Sequence, residues 1–130
     1  EFLVRLNPKV NRQPFPIITL AQDTSTLTAI GNDFDFKYIF SRNLQALANK
    51  NDLLFVLSTS GNSKNIVEVL KKAKQLKITS LSFLGCGGGN AKKYSKNCIV
   101  VPSTNVARIQ EIHLFLGHYI LNVVEKKLLS

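Results

Sequence analysis

Apolar and polar positions along this chain fall into blocks whose period changes from strand-like to helix-like and back. Leu53, Leu54, Phe55, Val56 and Leu57 form an unbroken apolar run, the pattern of a strand buried on both faces. After Ser58-Thr59-Ser60-Gly61-Asn62-Ser63, the apolar residues Ile66, Val67, Val69, Leu70 and Ala73 recur at helical spacing, which predicts a helix over 63–76 packed on that strand. Further strands are expected at 17–21, 78–84 and 98–101, the last stopped by Pro102. Residues 1–6 read as the tail of a helix, and 7–16, with three prolines, as a loop. A short helical stretch should follow Asp23-Thr24-Ser25 as far as Ile30, and Asp35 can cap a helix reaching about Ala48. A flexible glycine turn at 85–89 leads to a short helix at 91–94, and a long helix over 106–128 closes the chain. Strands alternating with helices predict right-handed crossovers and a parallel sheet with helices on both faces, an α/β three-layer αβα sandwich. Ligands bind such sheets at the carboxyl ends of the strands. No repeat or linker divides the 130 residues, so one domain over 1–130 is expected.

The candidate chemistry starts where the first apolar run ends. Ser58, Thr59, Ser60 and Ser63 put four hydroxyls into six positions at the junction of a strand's end and a helix's start. Unpaired backbone N–H groups and the positive end of the helix dipole converge there, which suits a phosphate monoester. A plain turn and helix cap prefer the same residue types, so the local pattern leaves both readings open. No Gly-Lys-Ser/Thr follows and no dinucleotide fingerprint is present; no nucleotide cofactor is expected.

The closing helix carries Ile109, Ile112, Leu114, Phe115, Leu116, Tyr119, Ile120 and Val123, leaving few polar positions around it. A helix apolar on most sides needs more cover than a small domain supplies, and self-association is expected, most simply as a homotetramer. His113 and His118 are five residues apart, about 140° around the helix, and so are not the i, i+4 pair that holds a metal.

Charge and cysteine content narrow the partners. Seventeen Lys and Arg against eight Asp and Glu give a net charge of +9. The charge is scattered, grouping only at Lys71, Lys72, Lys74 and Lys77, at Lys92-Lys93 and at Lys126-Lys127. No nucleic-acid-reading motif accompanies it, so no nucleic-acid partner is expected. No apolar run reaches the roughly 20 residues that span a bilayer and the start has no signal-peptide pattern; no membrane association and a cytoplasmic location are expected. Cys86 and Cys98 are too far apart for a CxxC pair and read as free thiols.

The Gly31-Asn32-Asp33-Phe34 segment, the Ser58–Ser63 loop and Arg108-Ile109-Gln110-Glu111-Ile112-His113, in this order, resemble the sugar isomerase (SIS) domain, and within it the bacterial phosphoheptose isomerases. The resemblance runs from Glu1 to about Lys127. That family begins with a helix, a first strand and a Gly-Asn-Gly-Gly-Ser loop that are not found here, so the chain is expected to be an N-terminally truncated member. The resemblance implies an isomerase that interconverts sedoheptulose 7-phosphate and D-glycero-D-manno-heptose 7-phosphate through an enediol, for lipopolysaccharide heptose. It implies Glu1 and His118 as the catalytic pair. It also implies Arg5, Asn32, Asp33, Gln110 and the hydroxyls of Ser58, Thr59, Ser60 and Ser63 as substrate contacts. Some members hold zinc, and Glu1, Gln110 and His118 match three of the ligands, the fourth lying upstream. Gln110 and His118 are about 12 Å apart along one helix, which points to sites shared between chains. In a related non-catalytic group that binds a replication initiator, Asn stands where His118 is, so His118 favours an enzyme; a sugar-phosphate sensor is a third reading. Two departures limit the transfer: Ala107 stands where some members have Asp, and Gly85-Cys86-Gly87-Gly88-Gly89 replaces Gly-Lys-Asp-Gly-Gly.

Overall fold

The apolar run and its successors fold as a three-stranded parallel sheet in the order β1 (Leu53–Ser58), β2 (Thr79–Leu84), β3 (Asn97–Val100). This is a computed structural model describing residues 1–130. Helix α1 spans Thr24–Asp33, a 3-10 turn at Phe36–Tyr38 leads into α2 (Ile39–Leu47), α3 (Lys64–Gln75) connects β1 to β2, and α4 (Val106–Leu129) ends the chain. Asp23 caps α1 by accepting from the Ser25 and Thr26 amides, and Asp35 caps the 3-10 turn by accepting from the Lys37 amide. Both carboxyls are held below their usual range, Asp23 chiefly by its bond from the Thr26 hydroxyl and Asp35 by the Lys37 amide.

Leu54 and Val56 of β1 meet Val69, Leu70 and Ala73 of α3 and Leu44 of α2 in the main core. Complete burial, as at Leu70 and Leu84, stabilises by about 1.5–3 kcal/mol per side chain. The buried serines of β2 are satisfied from the segment before β3: the Lys96 amide donates to Ser80 Oγ at 2.9 Å, and the Ser82 and Ser95 hydroxyls are 2.7 Å apart. On the opposite face Ile109 of α4 is fully buried and His113 leans on the Phe83 ring at 5.9 Å. Helices α2 and α3, the sheet and α4 therefore make the three αβα layers that the pattern predicts. No helix is long and apolar enough to cross a membrane, and both cysteines are free.

Four expectations are corrected. Residues 17–21 form no strand; β-propensity makes a strand only with an edge to pair with, and the only ladders are β1 with β2 and β2 with β3. Residues 1–6 are not helical, since under two turns cannot recover the cost of helix nucleation. β1 is buried on one face only: Leu54, Val56 and Ser58 point inward, while Leu53, Phe55 and Leu57 stay exposed on the edge strand. Finally, α1 continues past Ile30 through Asp33, so the Gly31-Asn32-Asp33 segment is helical and not a free turn.

Candidate active site

Between β1 and α3 the hydroxyl-rich loop is shaped by its backbone. Ser58 Oγ accepts from the Gly61 amide at 3.1 Å, and Ser60 Oγ accepts from the Asn62 amide at 3.1 Å. Gly61 has a φ of +64° and packs so closely that a Cβ there would lie 2.1 Å from the Gly88 carbonyl oxygen, so only glycine fits. The Gly61 carbonyl accepts from the Ala91 amide at 2.8 Å and Asn62 Oδ1 accepts from the Asn90 amide at 2.9 Å. The glycine turn that sequence reading treats as flexible is thus a brace for the loop. Ser63 is the N-cap residue of α3 but makes no side-chain cap hydrogen bond, so its hydroxyl is free for a ligand at the positive end of that helix.

The loop opens into a groove of about 840 Å³ that gathers Ser58, Thr59, Ser63, Gln110, His118 and Glu1. His118 Nε2 lies 3.2 Å from Glu1 Oε1, and both side chains remain about half exposed to the groove. The floor and sides are apolar, from Phe55 and Leu57 of β1, Leu114 and Leu121 of α4, and Ile17 and Ile18. A carboxylate and an imidazole in contact, open to a ligand beside a phosphate-suited loop, can take and return protons on a bound small molecule. Zinc sites use three or four ligands, most often His, Cys, Asp or Glu. Here Glu1 and His118 supply two, no cluster of three such residues occurs, and Gln110 is the one further candidate. Of these, only Glu1 and His118 are residue types zinc commonly takes, so the pair would hold such an ion only with Gln110 or further ligands completing the set.

The remaining candidates lie elsewhere. Arg5 is exposed and outside the groove. Asn32 and Asp33 sit in the last turn of α1, exposed, with Asn32 Nδ2 donating to Asp33 Oδ1 at 2.8 Å, and they do not line the groove. Ser60 is half-buried and occupied with the Asn62 amide. Sequence reading treats His113 as structural, but it lines the groove at 6% exposure, and its Nε2 is buried with no hydrogen-bond partner. Its place one helical turn from Gln110 and five residues from His118 was the available signal.

A parallel sheet whose first strand delivers a hydroxyl-lined, glycine-braced loop into a groove shared with a Glu–His contact defines an α/β domain with a candidate small-ligand site. The model of one family, the SIS domain, matches residues 1–85, and the chain belongs to that family. Similar proteins include phosphoheptose isomerases of Campylobacter concisus, 49% identical over 118 residues, and of Clostridium acetobutylicum, 44% identical over 120 residues. These alignments take in 91% and 92% of this chain but 62% and 61% of the relatives. A solved phosphoheptose isomerase from Francisella tularensis superposes with a TM-score of 0.84 at 34% identity, covering 87% of this chain and 63% of that one. One from Neisseria gonorrhoeae gives 0.80 at 38%, covering 82% and 61%. The chain thus spans a little over three fifths of the length of the relatives it matches.

Proposed function

We propose that the protein is a phosphoheptose isomerase, interconverting sedoheptulose 7-phosphate and D-glycero-D-manno-heptose 7-phosphate. The single observation that carries this reading is the 3.2 Å contact of Glu1 with His118 in the groove that Ser58, Thr59 and Ser63 also line. The phosphate docks on the Ser63 and Thr59 hydroxyls at the start of α3. This leaves the carbonyl end of the sugar at the acid–base pair. Glu1 removes the proton alpha to the carbonyl and returns it to the neighbouring carbon, and His118 moves protons between O1 and O2 of the enediol. The names of the similar proteins support the heptose phosphate as substrate. Incubation of the protein with sedoheptulose 7-phosphate, followed by product sugar analysis, tests the reading. Appearance of the manno-heptose phosphate supports it, and tight binding without turnover would turn it over in favour of a sensor or adaptor.

The catalytic form is expected to be a homo-oligomer. Leu114, Phe115 and Tyr119 of α4 are 62%, 67% and 60% exposed, and Leu114 lines the groove beside Phe55 and Leu57 of β1. Apolar surface of that extent on a water-soluble domain marks a contact surface, and a second copy of this chain is the simplest cover. Light scattering at micromolar concentration reads the stoichiometry; a folded monomer contradicts it.

A further inference from the structure

Residues 1–15 have no regular structure, yet Glu1 must hold its carboxylate within 3.2 Å of His118. The segment is closed on itself and tied down by one side chain. The Phe15 amide donates to the Phe2 carbonyl at 3.0 Å, and the two phenyl rings meet edge-on at 5.6 Å. Arg12 lies inside this loop, its guanidinium 4.1 Å from the Phe15 ring centre. Its Nη1 donates to the Phe2 and Gln13 carbonyls at 2.9 and 3.0 Å, and its Nη2 donates to the Glu1 carbonyl at 3.2 Å. Its Nε donates to the Glu125 carboxylate on α4, and the two side chains are 1% and 4% exposed. Glu125 follows His118 by seven residues, which puts both on one face of α4, about 10 Å apart along its axis. That helix face therefore offers the strap two anchors: Glu125 for Arg12 and His118 for Glu1.

We propose that Arg12 and Glu125 are positioning residues whose buried ion pair pins residues 1–15 to α4 and so sets the Glu1 carboxylate against His118. For its catalytic consequence the inference rests on the isomerase reading. A planar guanidinium with five donors can hold three carbonyls of the strap and a carboxylate of α4 together, which a lysine cannot. Because displacement of a reacting group by about 1 Å costs as much as 10²-fold in rate, the fit of this clamp controls turnover without touching the substrate. The phosphate loop, built on β1 and α3, does not depend on it.

Two variants test the clamp. Glu125→Gln weakens it directly. The double variant Arg12→Met with Glu125→Leu removes the donors to the Glu1 and Phe2 carbonyls without leaving a buried charge unpaired, a replacement that proteins often accept with no loss of stability. In both, kcat should fall about 10–100-fold, with KM and sugar-phosphate affinity within about twofold of wild type, while the melting temperature of the double variant is held. Amide exchange should quicken over residues 2–7 and not in α3, and the NMR contact between the Glu1 side chain and the His118 ring should disappear. Wild-type kcat in either folded variant, or an unchanged Glu1–His118 contact, would overturn the proposal. If the wild-type protein turns over no heptose phosphate, the isomerase reading fails, and the exchange and NMR contact still decide whether the clamp places Glu1.

Discussion

At the Ser58–Ser63 wall of the groove every brace comes from backbone or a short polar side chain: Gly61 against Gly88, the Ala91 amide to the Gly61 carbonyl, and Asn62 to Asn90, 28 residues on. At the Glu1 wall the proposed base is carried on a strap that Arg12 ties to Glu125, 113 residues away. The first wall is an outcome of sheet and helix geometry and holds as long as the sheet holds. The second is a strap without ladder or helix, ordered by one buried ion pair and by Glu1's own contact with His118. Binding and turnover are thereby assigned to separately supported parts, and changes on one wall should leave the other's property alone.

The largest separation is expected from Glu1→Gln. It keeps the hydrogen-bonding shape but removes the base, so turnover of sedoheptulose 7-phosphate should fall about 10²–10⁴-fold with calorimetric affinity nearly unchanged. Equal losses in affinity and rate would dissolve the division between the two walls.

Ser63→Ala attacks the other wall. Removing one hydroxyl that bonds a charged phosphate costs about 1.5–3 kcal/mol, or roughly 10–150-fold in affinity, and turnover at saturating substrate should be little changed. Ser60→Ala should cost less, because that hydroxyl is already engaged by the Asn62 amide. A larger effect from Ser60 than from Ser63 in titration calorimetry would place the phosphate elsewhere on the loop.

A smaller effect is expected from acid. Arg12 beside Glu125 holds its carboxyl below the usual 4.5. A carboxyl lowered by folding adds stability that is fully present above its unfolded value and is lost as pH falls through its folded value. The strap should therefore loosen as pH drops below about 4.5, seen as faster amide exchange over residues 2–7, while the β1–α3 loop is spared. Glu125→Gln should show no such component over that window; parallel pH profiles for the two proteins would remove Glu125 from the account.

What sequence reading supplied follows the same division. The hydroxyl loop, α3, β2 and α4 were legible because each is specified by neighbouring residues: an apolar run, a change of period, a cap. Glu1 and His118 were legible only through the family resemblance, since nothing local distinguishes a terminal glutamate or a histidine on an apolar helix. The strand expected at 17–21 failed because strand formation depends on a pairing edge, which Ile17 and Ile18 do not report. The run Leu53–Leu57 looked buried on both faces because apolar content does not say whether the second face is covered within the chain; here Leu53, Phe55 and Leu57 stay open. The Arg12–Glu125 pair was invisible because no pattern links two charges so distant in sequence. For His113, its place one turn from Gln110 is legible on α4, but burial of its Nε2 without a partner is not, because that depends on what packs around the helix.

The central claim, that the Glu1–His118 pair performs proton transfer on a sugar phosphate held by the Ser63 loop, is tested most directly by His118→Asn. Asn keeps a hydrogen-bonding side chain but cannot shuttle a proton near neutral pH. The measurement is isomerisation of sedoheptulose 7-phosphate, followed together with exchange of the proton alpha to the carbonyl in deuterated solvent. The account predicts that isomerisation falls about 10²-fold or more while sugar-phosphate affinity stays near wild type. Isomerisation and exchange at the wild-type rate in His118→Asn would contradict it and leave the histidine a structural member of α4.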